Sequence, residues 1–224
     1  DEPVADPSAG ALYFLAREAS KYVKVVLSGE GADELFGGYN IYREPFALEK
    51  FNRIPAFLRV LLLALTRLPF EIKGMNYLRR YQKKLEERYI GNAQVFSPEE
   101  AKMMWRGTPY ERVSLAPLYK EASAWSDSTK MQYIDIHTWL PGDILAKADK
   151  MNMAHSLELR VPFLDREFAS FAQTIPDRLK FKNGATKYLL RKAAQAFVPP
   201  ATQKRKKLGF PVPLAVWLKE RTDW

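Results

Sequence analysis

The sequence predicts an α/β protein whose present segment is predominantly α-helical, with about one parallel strand. Three observations carry that prediction. Residues 23–38 read VKVVLSGEGADELFGG: a β-branched apolar run, a glycine turn carrying carboxylates, then an apolar helix start. Strand, glycine turn and helix is the layout of ligand sites at the carboxyl ends of parallel strands. Helical patterns punctuated by prolines fill most of the rest of the 224 residues. Apolar residues make up 47% of the chain, ample for a buried core.

The elements follow in order. Residues 1–10 contain Pro, Asp and Ser, and Ser8 is placed to cap a helix running to about Tyr22. The strand covers 23–27, and a helix begins near Ala32 after the acidic turn. Helices are expected over 45–52, 55–66, 76–90, 97–105 and 128–139, punctuated by Pro55, Pro69, Pro98, Pro109 and Pro117. Ser97, Pro98, Glu99 and Glu100 make a strong start signal: a capping hydroxyl, proline in the first turn, then acids at the positive end of the dipole. A helix over 142–155, a short extended piece at 161–163 fixed by Pro162, and a helix capped by Asp165 come next. The last long helix covers 184–197 and stops before Pro199 and Pro200. One strand cannot satisfy its own backbone groups, so the rest of the sheet is expected upstream of Asp1.

Composition narrows the function classes. With no cysteine, disulfides and thiolate catalysis are excluded, and a reducing, cytoplasmic setting fits best. The opening acidic stretch Asp1–Asp6 has no signal-peptide pattern. The apolar run 56–70 is interrupted by Arg59 and Arg67 and is too short to span a bilayer, so no membrane role is expected. A formal charge of +9 accommodates an anionic ligand: nucleotide, pyrophosphate or nucleic acid. The two histidines, His137 and His155, lack partner ligands in sequence and read as structural.

Three segments carry chemistry. In the first, Gly29 and Gly31 let the backbone turn sharply and approach a ligand, while Glu30, Asp33 and Glu34 crowd carboxylates onto the turn. A phosphate cradle alone does not call for those acids. A magnesium ion, an ammonium group or a general-base step does, although acids at a helix start are also favoured by the dipole alone. The second, residues 140–165, has Leu145, Met151, Met153 and Leu157 as a core face. It groups Asp143, Lys147, Asp149 and Lys150, with Glu158 and Arg160 beyond; such charges are also common on ordinary surfaces. The third, residues 204–213, reads KRKKLGFPVP. Its stiff apolar end ties the cations to the fold and can aim one lysine at developing phosphate charge. These residues by themselves leave a surface charge run equally open.

Taken together, the chain resembles the synthetase domain of the glutamine-dependent asparagine synthetase family. The matching segments DEPVADPSA, VVLSGEGADELFGGYNIYREP, LEERYIGNA, TKMQYIDIHTWLPGDILAKADKMNMAHSLELRVPFLD, TKYLLRKAA and RKKLGFPVPLAVWLK stand in the family's order along the whole chain. The resemblance implies an adenine nucleotide alpha hydrolase-like fold, with ATP and Mg2+ as cofactors. It implies adenylation of the aspartate side-chain carboxylate, then attack by ammonia, derived from glutamine, to release AMP. By motif position, Ser28 and Gly29 are similar to part of the adenylate pocket, Glu30 to a residue that receives the ammonia proton or steadies the intermediate, and Asp33 to a magnesium ligand. Lys207 matches the lysine that neutralises phosphate charge. Asp149 and Lys150 follow as nucleotide-binding candidates, with Asp143 and Lys147 behind them. Other amide-forming relatives, such as β-lactam synthetases, share this layout, and a basic nucleic-acid module built on 204–207 is the contrasting reading. The family's SGGxDS pyrophosphate loop and its glutaminase domain with a nucleophilic cysteine do not occur in this sequence. The expectation is therefore that residues 1–224 are the C-terminal portion of a synthetase domain that neither hydrolyses glutamine nor makes asparagine alone. Its partners would be aspartate, ATP, ammonia and the N-terminal part of the same polypeptide, with no nucleic acid or membrane; a homodimer stays open.

Overall fold

The computed structural model describes residues 4, 6–66, 74–92, 94–107, 113–203, 205 and 212–220. The chain opens with α1 (Ser8–Ala19) and then β1 (Val25–Leu27). Ser8 is not the cap: it lies in the first turn of α1, and its N–H donates to the Asp6 carboxylate at 2.8 Å. After the acidic turn come α2 (Ala32–Phe36), a 3-10 turn (Asn40–Arg43), α3 (Glu44–Phe51) and α4 (Ala56–Leu65). The pattern over 76–90 divides into α5 (Met75–Tyr81) and α6 (Leu85–Arg88). Ser97 caps α7 (Pro98–Met104) as expected: its hydroxyl accepts from the Glu100 N–H while the Glu100 side chain accepts from the Ser97 N–H.

Next are α8 (Ala116–Glu121) and α9 (Asp127–His137), whose Ser126 cap accepts from the Thr129 N–H. A π-helical stretch, Leu140–Leu145, then leads into α10 (Ala146–Met153). Pro141 lies in this stretch and cannot donate to the helical ladder, and such π segments recur at functional sites. The chain continues through β2 (Glu158–Arg160), a 3-10 turn (Pro162–Leu164) and α11 (Arg166–Gln173). Asp165 caps α11 by accepting from the Glu167 and Phe168 N–H groups. The remaining helices are α12 (Asp177–Lys180), α13 (Tyr188–Ala194), α14 (Pro200–Gln203) and α15 (Leu214–Glu220). The expected long helix over 184–197 is thus short, because Gly184 sits in a tight turn closed by the Lys182–Ala185 bridge.

β1 is not alone among the described residues. It pairs in parallel with β2, aligning Val25 with Glu158, Val26 with Leu159 and Leu27 with Arg160. The ladder continues at both ends, from Glu158 N–H to Lys24 O and from Ser28 N–H to Arg160 O, each at 2.9 Å. Packing of α1 along α10, and of α10 against β2, ties this ribbon to the helices. Val25 and Leu27 remain exposed on one face of the ribbon.

Two apolar clusters hold the helices. One gathers Tyr42, Leu85, Tyr89, Tyr119, Met131 and Ile134; the other gathers Leu35, Phe36, Ala172 and Ile175. α9 serves both, with Ile134 in the first and Ile136 packed against the second. Leu157 is buried as expected, but Met153 is 55% exposed and leaves the anticipated core face. No helix among the described residues is long and apolar enough to cross a membrane.

Candidate active site

The glycine turn lies where β1 ends. The Ser28 N–H is used by the β2 ladder, so its amide is already committed. Beside it, space is open: a Cβ added to Gly29 would meet nothing within 4 Å. Gly31 is required by its surroundings, with φ +83° and a hypothetical Cβ only 2.3 Å from Leu164 Cδ2. This contact presses the turn against the 3-10 segment after β2. Between the two glycines, Glu30 Oε2 is withdrawn from solvent and has no hydrogen-bond partner. A carboxylate oxygen left so is uncommon, because an unsatisfied buried acceptor costs about 1–3 kcal/mol.

Asp33 leaves α2 toward a lysine that the sequence reading did not single out. Its Oδ2 lies 3.0 Å from Lys187 Nζ, and Gly38 closes over the pair, since a Cβ there would overlap both side chains. Lys187 has a positive φ of 52°, unusual for a residue with a Cβ, and it immediately precedes α13. The next acid, Glu34, turns inward instead. Tyr39 OH donates to its Oε1 at 2.8 Å and in turn accepts from Trp139 Nε1 at 3.2 Å. Burial pushes the Glu34 carboxyl above its ordinary range, against the hydrogen bonds that favour ionisation. Three neighbouring acids therefore have three environments: one orphaned, one paired to lysine, one held in the core.

A second polar cluster joins α1, the π segment and α10. Lys147 Nζ pairs with Asp6 Oδ2 and lies 3.9 Å from Asp143 Oδ2, with all three side chains largely buried. Burial would raise the Asp6 carboxyl, but hydrogen bonds from Lys147 and the Ser8 N–H bring it below its usual range. Burial raises Asp143; Lys147 opposes that effect and the Asp6 carboxylate adds to it. The structure thus separates the charges grouped in the sequence. Asp143 and Lys147 enter a buried cluster, whereas Asp149 is exposed on α10 and Lys150 is half-buried beside it. Asp6 was missed because its partner lies far along the chain, although it stands in the DPS of the opening motif.

His155 packs its ring on Tyr13, with centroids 4.3 Å apart, and His137 Nδ1 lies 2.8 Å from Tyr133 O. Among the described residues, no group of three or more His, Cys, Asp or Glu side chains could hold a metal ion. Lys207 falls outside the described residues.

The family model for asparagine synthase matches residues 1–224. Asparagine synthetase [glutamine-hydrolyzing] 1 of Bacillus subtilis is 54% identical over the whole of this chain, which covers 36% of that protein. A putative asparagine synthetase [glutamine-hydrolyzing] of Mycobacterium tuberculosis is 49% identical, again over the whole chain and 35% of the relative. Asparagine synthetase [glutamine-hydrolyzing] 3 of Bacillus subtilis is 28% identical over 93% of this chain and 29% of its own length. No solved structure matches the chain. The chain spans about a third of the length of the first two relatives, and with its full-length family match it belongs to the asparagine synthase family.

Proposed function

We propose that this chain forms part of an ATP-dependent ligase that makes asparagine in the cytoplasm. In the first step, a β-carboxylate oxygen of aspartate attacks the α-phosphorus of ATP, and pyrophosphate leaves. In the second, ammonia attacks the acyl carbon, the bond to the AMP oxygen breaks, and AMP departs with the electron pair. The observation that carries this reading is the orphaned Glu30 Oε2 beside open space at Gly29. A buried carboxylate oxygen without a donor is suited to accept the proton that the attacking nitrogen must lose. Ammonia, delivered from glutamine by an N-terminal part of the same polypeptide, supplies that N–H.

The remaining residues fit a nucleotide. Asp33, paired with Lys187, belongs to no larger metal-binding group among the described residues, and a magnesium ion held mostly by phosphate oxygens needs only one or two protein carboxylates. The donor set therefore fits Mg2+ bound with ATP and not an independent metal centre. When bound, the ion neutralises phosphate charge. Lys187 would then have phosphate as well as Asp33 for its ammonium to pair with. Ser28 and Gly29 would line the adenylate, Asp149 and Lys150 would contribute from α10, and Lys207 would stabilise charge on the leaving pyrophosphate. The uncovered Val25 and Leu27 face supports a further layer of the domain packing on this ribbon.

The test is conversion of isotopically labelled aspartate by the full-length protein with ATP, Mg2+ and ammonia. Asparagine and AMP should appear in equal amounts. AMP formation that does not depend on aspartate would contradict the assignment. The 224-residue chain alone, which has neither an SGGxDS loop nor a cysteine, is expected to release no aspartate-dependent pyrophosphate.

A further inference from the structure

A cavity of about 570 Å3 is lined by α2, α9, α11 and α12. Its walls are largely apolar, including Leu35, Ile136, Ile175 and Pro176. Among the described residues their one cation is Lys180, only 2% exposed. Its Nζ donates to Gln132 Oε1 at 3.0 Å and, among the described residues, has no carboxylate within ion-pair distance. Gln132 is itself buried and fixed in orientation, because its Nε2 donates to the Ser128 carbonyl at 3.2 Å. Burial lowers the proton affinity of the Lys180 amine, and the charge of the nearby Asp177 carboxylate opposes that effect.

The other charged side chains lining the cavity are acids that already have donors. Asp177 accepts from the Ser126 and Thr129 hydroxyls, and Glu34 accepts from Tyr39 OH. The unmet valence in the cavity is therefore cationic, because among the described residues Lys180 Nζ has one acceptor, Gln132 Oε1, for its three N–H groups. A ligand carboxylate would complete them by charge-assisted hydrogen bonds. A second carboxylate on the same ligand would meet Glu34 or Asp177, so a dicarboxylate such as aspartate is disfavoured.

We propose that this cavity binds a small monocarboxylate, its carboxylate seated on Lys180 and its hydrocarbon body against Leu35, Ile136, Ile175 and Pro176. The site does not depend on the asparagine-forming reading. It nonetheless adjoins that region, because α2 carries both Glu34 in the cavity wall and Asp33 opposite Lys187.

Isothermal titration with isovalerate and with its neutral amide, isovaleramide, tests the proposal on the full-length protein. Isovalerate should bind, and the amide should bind at least about tenfold more weakly, since it cannot pair with the ammonium. Lys180→Met, a near-isosteric apolar change, should weaken isovalerate by at least about tenfold as well. Ser170→Trp, introduced from the exposed side of α11 where it lines the cavity, should block binding with Lys180 intact. This second variant keeps the test decisive if Lys180→Met does not fold. Absence of isovalerate binding, equal binding of the amide, or unchanged binding in either folded variant would overturn the proposal.

Discussion

Asp135 and Glu30 both withdraw carboxylate oxygens from solvent, and their surroundings treat them in opposite ways. Asp135 on α9 is 0% exposed. Its Oδ2 accepts from Tyr42 OH and Tyr89 OH at 2.5 Å and from Asn92 Nδ2 at 2.6 Å, while its Oδ1 accepts from the Asn92 N–H at 2.8 Å. Gly91 permits this approach: an added Cβ would sit 3.3 Å from Asp135 Oδ1. Burial raises the Asp135 carboxyl, the four donors oppose that rise, and burial with the nearby carboxylate also pushes both tyrosine hydroxyls upward. Glu30 Oε2 has no such donor. A completed shell leaves Asp135 nothing to offer a ligand and makes it a structural post between α9, the 3-10 turn Asn40–Arg43 and the chain just after α6. The incomplete shell at Glu30 leaves an acceptor waiting at the end of a strand. A satisfied buried carboxylate is explained by the fold, whereas an unsatisfied one calls for a further explanation.

That contrast can be broken at its structural end first. Asp135→Ala would strand four donors in the core and should cost about 3–5 kcal/mol. Urea unfolding should show a large fall in the midpoint, and a loss below about 1 kcal/mol would show that the network is dispensable. Gly31→Ala comes next, because it forces a Cβ onto a positive φ and into Leu164. The expected cost is about 2–3 kcal/mol, read in the same unfolding experiment, with ligase activity falling alongside as the turn is displaced.

The smallest effect belongs to Glu34, the acid held between those extremes. Its carboxyl is raised in the folded state, so its contribution to stability is full below the unfolded value of 4.5 and is lost as pH rises through the folded value. Glu34→Gln removes that titration. Thermal melts should therefore coincide near pH 4 and separate toward neutrality, with the variant gaining up to about 1 kcal/mol. A gap that is widest in acid would reverse the sign of this assignment.

Much of the site was legible locally. The β-branched run, the glycines and the acids of 23–38 specify strand, turn and helix through short-range preferences, and the structure has them in that order. The caps at Ser97, Ser126 and Asp165 follow from the same kind of rule, although the sequence reading picked out only the first and third. β2 was not legible, because Glu158, Leu159 and Arg160 are too few to show an alternation and become a strand only by pairing with β1. Asp6 with Lys147, and Lys187 with Asp33, are long-range ion pairs, and no local pattern announces either partner. Lys187 also depends on a positive φ that is ordinarily a glycine signal. Ser8 misled for a related reason: its hydroxyl matched a capping preference, but the carboxylate two residues earlier took the amide. The placement of Asp143 turns on the π-helical stretch, whose extra residue per turn leaves no periodic trace in so short a segment.

The central claim is that the unsatisfied Glu30 carboxylate acts in the chemistry and not in the fold. It is tested most directly by single-turnover asparagine formation from aspartate, ATP and ammonia in full-length protein carrying Glu30→Gln. The account predicts a rate lower by about 100-fold or more, the usual range for loss of a general base, with unfolding stability unchanged or slightly improved. A rate within about twofold of the parent, or a loss of rate that only tracks unfolding, would contradict it.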